Sequence, residues 1–407
     1  MSIITAAAAA ASQASGADEV RRIRLDSIAI RDFRNLERVD LELPPEGAVI
    51  VGDNGHGKSN FLEAIYYLQI MRSIRDVRDQ DLTRFDTLGF HISAHAHTPE
   101  GRDISVGFDR NAKRKKVLID GTEVRRLSDA LGALPSVMFS PRDLELVSGA
   151  PTERRRYLDL VLALTDKKYL RALQHYRANL ARRNAALRNA ARRGSASADQ
   201  EVAVWEPALA EHGSFLIETR ARWVREWSAD FSNSLQRIGE SGSSQMRYVS
   251  PFAESESRRD VLLAALEEKR ALDLRRGTTH VGPHRDDLEL TLDGKDLRLF
   301  GSAGQQRSAA IALRLLEAAT LRNFAGAEPL LLLDDPFAEL DIRRAARILL
   351  MLEERGLGQT ILVVPREADI PPGLMKLDRL RITGGSIAAW LPRGVAKALT
   401  ATELEGS

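Results

Sequence analysis

The sequence predicts an α/β protein in which a mixed sheet with helices is interrupted by an inserted antiparallel helical lobe. Three observations favour this fold class. Val49, Ile50 and Val51 form an apolar run that leads into a glycine-rich loop and then a helical pattern. A second apolar run of strand length, residues 330–333, ends in two carboxylates. Between these runs, leucines recur every seven residues in two long segments, which is typical of paired helices.

Composition restricts the classes of protein to consider. The 407 residues are 43% apolar and 29% charged, as in a soluble globular protein. No apolar run is long enough to span a bilayer, so we expect no membrane association and a cytoplasmic location. The lack of cysteine excludes disulfides and Cys-based zinc sites. Because the net charge is only +2, any surface that binds a polyanion must be local.

Changes of pattern divide the chain into an α/β lobe made of two separated parts and a helical lobe between them. The Ala/Ser-rich start predicts a disordered extension, for which a targeting peptide is the alternative. The predicted divisions are residues 1–22 for the extension, 23–150 for the N-terminal part of the α/β lobe, 151–270 for the helical arm lobe, 271–395 for the part that completes the α/β lobe, and 396–407 for a disordered tail.

The first part of the α/β lobe is predicted to contain half-buried strands, because apolar and polar residues alternate. Phe33-Arg34-Asn35 forms the turn between the first two. The basic stretch 113–116 precedes a hairpin turn at Asp120-Gly121, and it either contacts a nucleic acid backbone or forms a solvated edge strand. The alternating segments are 23–30, 39–43, 90–96 and 104–108, and a short buried run spans 134–139.

Residues 52–59 fit the phosphate-loop pattern G-x-x-x-x-G-K-[ST]. The glycines let the backbone curl so that its N–H groups face a polyphosphate. Lys58 is expected on the β- and γ-phosphates and the Ser59 hydroxyl on Mg²⁺. A helix predicted over 61–68 points its positive N-terminal end at the same anion. The candidate nucleotide ligands are Gly52, Asp53, Asn54, Gly55, His56, Gly57, Lys58 and Ser59.

Two helical segments, 152–193 and 205–235, are predicted to pair as an antiparallel hairpin. The first is basic, since residues 151–193 contain twelve Lys or Arg and only three acids. Such an excess in a nearly neutral chain is typical of a surface that binds a phosphate backbone, and a solvated helix face is the alternative. The candidate DNA-binding residues are Arg182, Arg183 and Arg188.

The next segment is predicted to contain a hairpin and a glycine-rich turn. Asp293-Gly294 predicts a turn after the strand 288–292, with Leu297 and Leu299 on the return strand. The turn 300–307 precedes a helix predicted over 308–322, so its N–H groups are available to an anion. A metal site is an alternative use of His280, His284, Asp286 and Asp287, although Gly and Pro between the histidines leave its geometry undefined.

The apolar run 330–333 ends in Asp334 and Asp335. In a phosphate-loop ATPase the first carboxylate holds Mg²⁺ through water and the second orients or deprotonates the attacking water. The catalytic candidates are therefore Lys58, Asp334 and Asp335, and the metal candidates are Ser59 and Asp334. A helix is predicted from 338 to 355, followed by a last buried strand over 359–364.

Together these motifs resemble an ABC-type ATPase head of the SMC-like class, and the match is closest to the RecF family. In such heads, N- and C-terminal segments fold together around an inserted helical segment. The resemblance spans 23–364. The motifs that carry it are Phe33-Arg34-Asn35, 52–59 with Leu62-Glu63-Ala64-Ile65, Phe139-Ser140-Pro141 with Asp143-Leu144, Arg154-Arg155-Arg156 with Leu158-Asp159, 282–287, 302–307, and Leu333-Asp334-Asp335 with Glu339-Leu340-Asp341.

The resemblance implies a mechanism in which two heads sandwich two ATPs. Ser302, Gly304 and Gln305 of one subunit would reach the γ-phosphate held by the other. Asp341 would lie at the same interface. This ATP-dependent homodimer would bind gapped or duplex DNA, and weak, DNA-stimulated ATP hydrolysis would release it. RecR and RecO are the implied partners, with RecA loading at gaps and the SOS response as implied roles.

Three features depart from the family pattern. The extension before Ile23 is unusual, and no glutamine matches the loop glutamine of ABC heads. The last strand ends Val363-Val364-Pro365, with neither a histidine nor the expected threonines. The alternatives are another SMC-like repair head, which would need a longer arm or a cysteine hook, and a DNA-binding scaffold without effective hydrolysis. A transporter subunit would place its signature turn, the counterpart of residues 302–307 here, closer to the phosphate loop, and a nuclease would need a further acidic domain.

Overall fold

The computed structural model describes residues 21–98, 101–193, 198–337, 340–354 and 358–390. The predicted tail and residues 1–20 of the predicted extension lie outside this range. Residues 21 and 22 are held by Glu328, whose N–H donates to the carbonyl oxygen of Arg21 at 2.8 Å. In the part of the chain that is described, no helix is both long and apolar enough to cross a membrane.

An antiparallel sheet forms most of the N-terminal part, with the strand order β2-β1-β4-β5-β6-β7. Burial alternates along its long strands, which confirms the half-buried strands predicted from the sequence. The strands are β1 (Arg24–Phe33), β2 (Leu36–Glu42), β4 (Gly89–His97), β5 (Arg102–Asp109), β6 (Arg114–Ile119) and β7 (Thr122–Glu123).

A second sheet lies at the centre of the α/β lobe and carries the phosphate loop. Its order is β15-β14-β3-β13-β12-β8, parallel except for the edge strand β15. The N-terminal strand β3 therefore lies between two strands from the last part of the chain. The strands are β3 (Gly47–Val51), β8 (Ser136–Phe139), β12 (Leu330–Asp334), β13 (Thr360–Val364), β14 (Asp378–Thr383) and β15 (Ser386–Ala389).

Both faces of the central sheet are covered along β3, β8, β12 and β13, so these four strands are almost wholly buried. Helix α1 (Lys58–Ile70) lies between the two sheets and is apolar nearly all round. Ile50, Leu332 and Val363 face α1, whereas their neighbours along the strands face helices on the opposite side. Those helices are α10 (Ala303–Ala325) and α11 (Ile342–Glu354).

The helical lobe contains the predicted pair of long helices with a small sheet packed against them. The single helix predicted over 152–193 is wrong, because the chain breaks at Asp166. The Asp166 carboxylate accepts hydrogen bonds from the N–H groups of Lys168 at 2.7 Å and Tyr169 at 3.2 Å, which starts a new helix. The elements are α4 (Pro151–Thr165), α5 (Lys167–Arg193), α6 (Ala198–Ala203), α7 (Glu206–Ile238), α8 (Arg258–Arg276), β9 (Ser244–Val249), β10 (Asp287–Leu292) and β11 (Lys295–Asp296).

Two other expectations about elements are corrected, and two strands of the central sheet had not been expected. Leu297 and Leu299 lie in a helical turn rather than on a return strand, which is limited to β11. Helix α10 begins at Ala303, five residues before its predicted start at Ser308. Strands β14 and β15 were not predicted. The remaining short helices are α2 (Asp79–Leu82), α3 (Glu145–Ser148) and α9 (Leu297–Phe300).

Candidate functional site

Strand β3 delivers the phosphate loop to the C-terminal edge of the central sheet, where α1 begins. The Lys58 ammonium is buried inside the loop and donates to the carbonyl oxygens of Gly52 at 2.5 Å and Asp53 at 2.9 Å. Burial lowers the pKa of Lys58, while the negative charges of Asp334, Asp53 and Asp335 oppose that shift. The loop thus surrounds a fixed cation at the start of a helix.

The Phe33-Arg34-Asn35 turn supports one side of this loop. Asn60 donates through Nδ2 to Asn35 Oδ1 at 2.8 Å, and Asn35 Nδ2 donates to the Gly55 carbonyl oxygen at 3.4 Å. Gly57 has a φ of 106°, and a Cβ there would lie 2.8 Å from Asn35 Oδ1. Glycine is therefore required at 57 both for its backbone conformation and for space.

The same turn anchors α1 through a buried carboxylate. Glu63 accepts hydrogen bonds from Arg34 Nε at 2.8 Å and Arg34 Nη2 at 3.1 Å, and from the Ser73 hydroxyl at 2.5 Å. This paired arrangement is strong and directional. It connects two of the motifs singled out from the sequence, Phe33-Arg34-Asn35 and Leu62-Glu63-Ala64-Ile65.

The opposite side of the loop rests on the turn between β14 and β15, which the sequence did not predict. The Gly384 N–H donates to His56 Nδ1 at 3.0 Å, and the Gly385 N–H donates to the His56 carbonyl oxygen at 3.0 Å. The Gly384-Gly385 pair in the sequence was the available signal for this turn. The phosphate loop is thus supported by segments from both ends of the chain.

The acidic strand end meets the phosphate loop directly. Ser59 Oγ donates to Asp334 Oδ1 at 3.0 Å, although the two residues are 275 positions apart. Burial raises the pKa of Asp334, and burial together with the negative charge of Asp369 raises the pKa of Asp335. Asp335 has a φ of 48° and donates its N–H to the Val363 carbonyl oxygen at 3.1 Å. The predicted metal candidates therefore lie together, with the second carboxylate beside them.

Two further loops leave the sheet at this edge. Phe139, the last residue of β8, pairs with Leu333, so the loop Ser140-Pro141-Arg142 begins beside Asp334. This loop contains no glutamine that could match the loop glutamine of ABC heads. After β13, Arg366 makes paired hydrogen bonds of 3.0 Å each to the two carboxylate oxygens of Asp369. Arg366 thus lies in the loop that has neither a histidine nor a threonine.

The signature turn, residues 302–307, lies at the surface of the molecule. Ser302 Oγ accepts from the Gln305 N–H at 3.2 Å, and Gln305 Oε1 accepts from the Ser302 N–H at 2.9 Å, so the two cap α10. Arg344 lies so close to Gly304 that a Cβ there would collide with its guanidinium. Arg344 also contacts Asp341 at 3.5 Å, which joins the signature turn to the start of α11.

Exposed apolar side chains surround these two segments. Leu299 and Phe300, just before the signature turn, are 68% and 69% exposed. Ile342, next to the exposed Asp341, is 89% exposed. Apolar side chains of this size on an open surface are typical of a protein–protein contact when they cluster around polar groups.

Comparison with known proteins decides the family. A family model described as the RecF/RecN/SMC N-terminal domain matches residues 24–371. The DNA replication and repair protein RecF of Chloroflexus aurantiacus is 36% identical over 392 residues, which cover 88% of this chain and 98% of that protein. The chain belongs to the RecF family.

Other relatives agree with this assignment. RecF of Halalkalibacterium halodurans is 34% identical and covers 82% of this chain and 91% of its own length. A solved structure of the recombination mediator protein RecF with ATP, in the RecFOR pathway, has a TM-score of 0.84 at 28% identity and covers 92% of this chain and all of that one. An Smc head domain from Pyrococcus furiosus, at 17% identity and a TM-score of 0.52, shares the fold. The chain therefore has the fold of an ABC-type ATPase head.

One of the three DNA-binding candidates on this RecF-family chain is wrong. Arg183 is 0% exposed, and its guanidinium donates to Asp273 at 2.6 Å and to Glu206 at 2.8 Å. It is part of the core of the helical lobe and cannot reach DNA. Arg182 and Arg188 are exposed, and Arg182 lies over the Trp205 ring at 5.5 Å. Their role stays a prediction.

Several of the basic residues counted in 151–193 make hydrogen bonds or salt bridges within the protein and are not free to bind DNA. Arg154 makes paired hydrogen bonds of 2.8 Å each to Asp287, and Arg155 donates to the Asp286 carbonyl oxygen at 2.7 Å. In the basic hairpin, Lys115 is paired with Asp79 at 2.8 Å. Among the side chains of α5 that the structure describes, Arg177 is exposed and paired with Asp159 at 2.9 Å, and the other exposed basic residues are Lys167, Lys168, Arg171, Arg182 and Arg188.

The alternative metal site is not assembled. His284 contacts the Tyr176 hydroxyl at 2.6 Å and the Thr279 carbonyl oxygen at 3.1 Å, and burial lowers the pKa of His284 to about 4. His280 instead pairs with Asp273 at 2.7 Å. Among the residues that the structure describes, no group of three or more histidine or acidic side chains is arranged to hold a metal. These motif residues hold the lobe together.

Proposed function

We propose that this protein is an ATP-dependent recombination mediator of the RecF type, in which ATP closes a homodimer on DNA and slow hydrolysis releases it. The observation that carries this proposal is the 3.0 Å contact between Ser59 and Asp334. It joins the phosphate loop to the acidic strand end within one subunit. The signature turn, in contrast, lies on the surface, where a second subunit can be reached.

Each site residue has a role that follows from its position. Lys58 neutralises the β- and γ-phosphates from inside the loop. Ser59 and Asp334 supply the oxygen ligands that Mg²⁺ prefers, and the ion would neutralise charge that develops on the phosphates. Asp335 orients or deprotonates the attacking water, and it is the less buried of the two carboxylates.

The second subunit completes the site. Ser302, Gly304 and Gln305 present the N-terminal end of a 23-residue helix, whose dipole and N–H groups favour a γ-phosphate. Asp341 lies next to this turn through Arg344. Exposed Leu299, Phe300 and Ile342 would be removed from water by the same contact, which would stabilise it.

The proposed DNA-binding role and partners are inferred from the related proteins. The relatives are DNA replication and repair proteins, and a related structure belongs to the RecFOR pathway. RecR and RecO are therefore proposed as partners, with RecA loading at gaps as the outcome. On this chain, the exposed arginines of α5 are the proposed contacts with DNA.

The decisive experiment combines sedimentation with DNA affinity. The wild-type protein should be monomeric without nucleotide and dimeric with ATP, and only the dimer should bind gapped or blunt duplex DNA tightly. Lys58→Ala should abolish ATP binding and dimerisation, whereas Asp335→Asn should keep ATP and lock the dimer on DNA. A protein that stays monomeric with saturating ATP would overturn the proposal. Dimerisation without any phosphate release would instead favour a scaffold that does not hydrolyse ATP effectively.

A further inference from the structure

The helical arm lobe meets the signature turn at the C-terminal end of α7. Gly239, with a φ of 115°, ends this helix, and the Glu240 N–H donates to the Leu235 carbonyl oxygen at 3.0 Å. This hydrogen bond folds Glu240 back onto the last turn of α7. The side chain of Glu240 is only 5% exposed, so its carboxylate needs partners within the protein.

The Glu240 carboxylate joins α7 to two helices of the α/β lobe. Its Oε1 accepts a hydrogen bond from the Ser308 hydroxyl at 2.7 Å and forms an ion pair with Arg344 Nη2 at 2.9 Å. Ser308 lies in α10, whose first residues form the signature turn, and Arg344 lies in the first turn of α11. Because a buried carboxylate is costly to leave unpaired, this one oxygen holds both helices against the end of α7.

Arg344 extends this contact to the signature turn. Its Nε lies 3.5 Å from Asp341 Oδ2, and its Nη1 occupies the space that a Cβ on Gly304 would need. The three guanidinium nitrogens therefore face Glu240, Asp341 and Gly304. Because the guanidinium group is planar and rigid, its pairing with Glu240 also fixes the nitrogen that lies against the turn.

A second arginine of α11 packs on the same helix end. Arg347 Nη1 donates to the Ile238 carbonyl oxygen at 3.4 Å, and it lies so close to Gly239 that a Cβ there would collide with it. Cations are favourable at the C-terminal end of a helix dipole. Arg344 and Arg347 thus hold α11 against the end of α7, and Arg344 joins this contact to the signature turn.

We propose that Glu240 and Arg344 are positioning residues, which hold the signature turn in the orientation that meets the nucleotide of a second subunit. Glu240 orients Arg344, and Arg344 supports the backbone at Gly304. Because Glu240 belongs to the end of α7, a displacement of the arm lobe would move the signature turn. This inference rests on the proposed function for the nucleotide and the second subunit, whereas the support of the turn is a property of the monomer.

Hydrogen exchange of the full chain without nucleotide tests the support of the turn. The N–H groups of Gln305 and Gln306 report on its order, because they donate to the hydroxyl and to the carbonyl oxygen of Ser302. Glu240→Gln and Arg344→Gln should each speed exchange of these two N–H groups several-fold. Unchanged exchange in α1 would show that the fold is intact. Wild-type exchange rates at Gln305 and Gln306 in either variant would overturn the proposal.

A second ion pair between the same two helices provides a matched control. Arg237 of α7 is paired with Glu354 of α11, and both side chains are exposed. Glu354→Gln removes this pair and leaves Glu240 and Arg344 in place, so exchange in the signature turn should equal that of the wild type. Exchange that is faster by the same factor in Glu354→Gln would mean that any loosening of α7 from α11 disturbs the turn, which would overturn the specific role of Glu240 and Arg344.

Sedimentation with saturating ATP tests the role of the pair in the dimer. Each single variant should raise the dimer dissociation constant about tenfold, as expected when a turn loses the pre-organisation given by one charged hydrogen bond. The affinity of the monomer for ATP should not change. The double variant should be no weaker than either single variant, because both substitutions remove the same support.

Two results would separate the possible failures. A dissociation constant raised about a hundredfold in the double variant would show that Glu240 and Arg344 act independently, and it would overturn the pair. If both variants loosen the turn in hydrogen exchange but the wild-type protein does not dimerise with ATP, the proposed function fails and the support of the turn by Glu240 and Arg344 stands.

Discussion

At the residue scale, the environment of Asp335 predicts a pH dependence. Burial and the charge of Asp369 raise the pKa of Asp335 above its ordinary value of 3.8. The folded state therefore holds a proton on this group more tightly than the unfolded state. The contribution of Asp335 to stability is full below pH 3.8 and is lost as the pH rises through the raised pKa.

The same shift predicts how hydrolysis responds to acid. Asp335 must be ionised to act on water, so kcat/KM should fall as the pH is lowered through a midpoint above that of an ordinary aspartate. Asp369→Asn removes the carboxylate charge that raises the pKa of Asp335 and should move that midpoint to lower pH. Asp378→Asn, an exposed carboxylate at the start of β14, is the matched control. An unchanged midpoint in Asp369→Asn would contradict the assignment of Asp335.

The neighbouring arginines of α5 predict two different phenotypes. Arg183→Met leaves Asp273 and Glu206 without their buried partner and should lower the free energy of unfolding by about 3–5 kcal/mol. Arg188→Met on the exposed side should change it by no more than about 0.5 kcal/mol. Urea denaturation measures both values. Equal effects of the two substitutions would show that the Arg183 ion pairs contribute little.

Arg182→Ala combined with Arg188→Ala should weaken DNA binding and leave the free energy of unfolding nearly unchanged. Loss of two phosphate contacts should weaken binding and reduce the slope of log affinity against log salt by about 2. The double substitution Lys295→Ala with Arg298→Ala removes the same charge elsewhere on the surface and serves as the control. An unaltered salt slope would place the DNA-binding surface elsewhere.

The sequence could identify the chemistry of the site but not the burial of each charge. Lys58 belongs to a short motif with fixed spacing, and Asp334 and Asp335 directly follow an apolar strand. The local sequence was therefore sufficient to identify all three as site residues. Arg182 and Arg183 are adjacent, and nothing local distinguishes them. The carboxylates that pair with the buried Arg183 are Glu206 and Asp273, which lie 23 and 90 residues away along the chain.

At the element scale, the start of α10 combines a structural and a functional role in Ser302. Ser302→Ala should cost about 1 kcal/mol of unfolding free energy through loss of the helix cap. Ser302→Asn keeps a capping side chain, so stability should be retained, but it changes the group offered to the partner subunit and should abolish the ATP-dependent dimer. Thermal unfolding and sedimentation separate the two effects. An intact dimer in Ser302→Asn would mean that this side chain does not reach across the interface.

Elements with a strong local signal were predicted well, and those without one were not. The alternation of apolar and polar residues identified β1, β2, β4 and β5. The Ser302-x-x-Gln305 pattern of a capping box could have given the true start of α10, but the glycines suggested a longer turn. Strand β14 has only two alternating apolar residues, Leu380 and Ile382, and β15 is four residues long, so their sequence patterns are too short to predict strands. Pairing with β3 places β14 in the central sheet, and a partner more than 300 residues away is not visible in the local sequence.

At the scale of the whole molecule, the exposed apolar residues predict the geometry of the dimer. Ile342→Asp should abolish ATP-dependent dimerisation and leave ATP binding by the monomer unchanged, because a charge would be buried at the contact. Phe85→Asp is the matched control, since Phe85 is also 89% exposed but lies between α2 and β4, in the N-terminal part of the α/β lobe. Sedimentation with ATP compares the two. Dimers in both variants, or in neither, would contradict this interface.

The position of β3 in the central sheet has a consequence for biosynthesis. Its neighbours on both sides, β13 and β14, are made more than 300 residues later. While the nascent chain emerges from the ribosome, the five buried residues of β3 therefore have no sheet to join. The nucleotide site can form only after β14, residues 378–383, has left the exit tunnel, so translation arrested before that point would yield a chain unable to hold ATP.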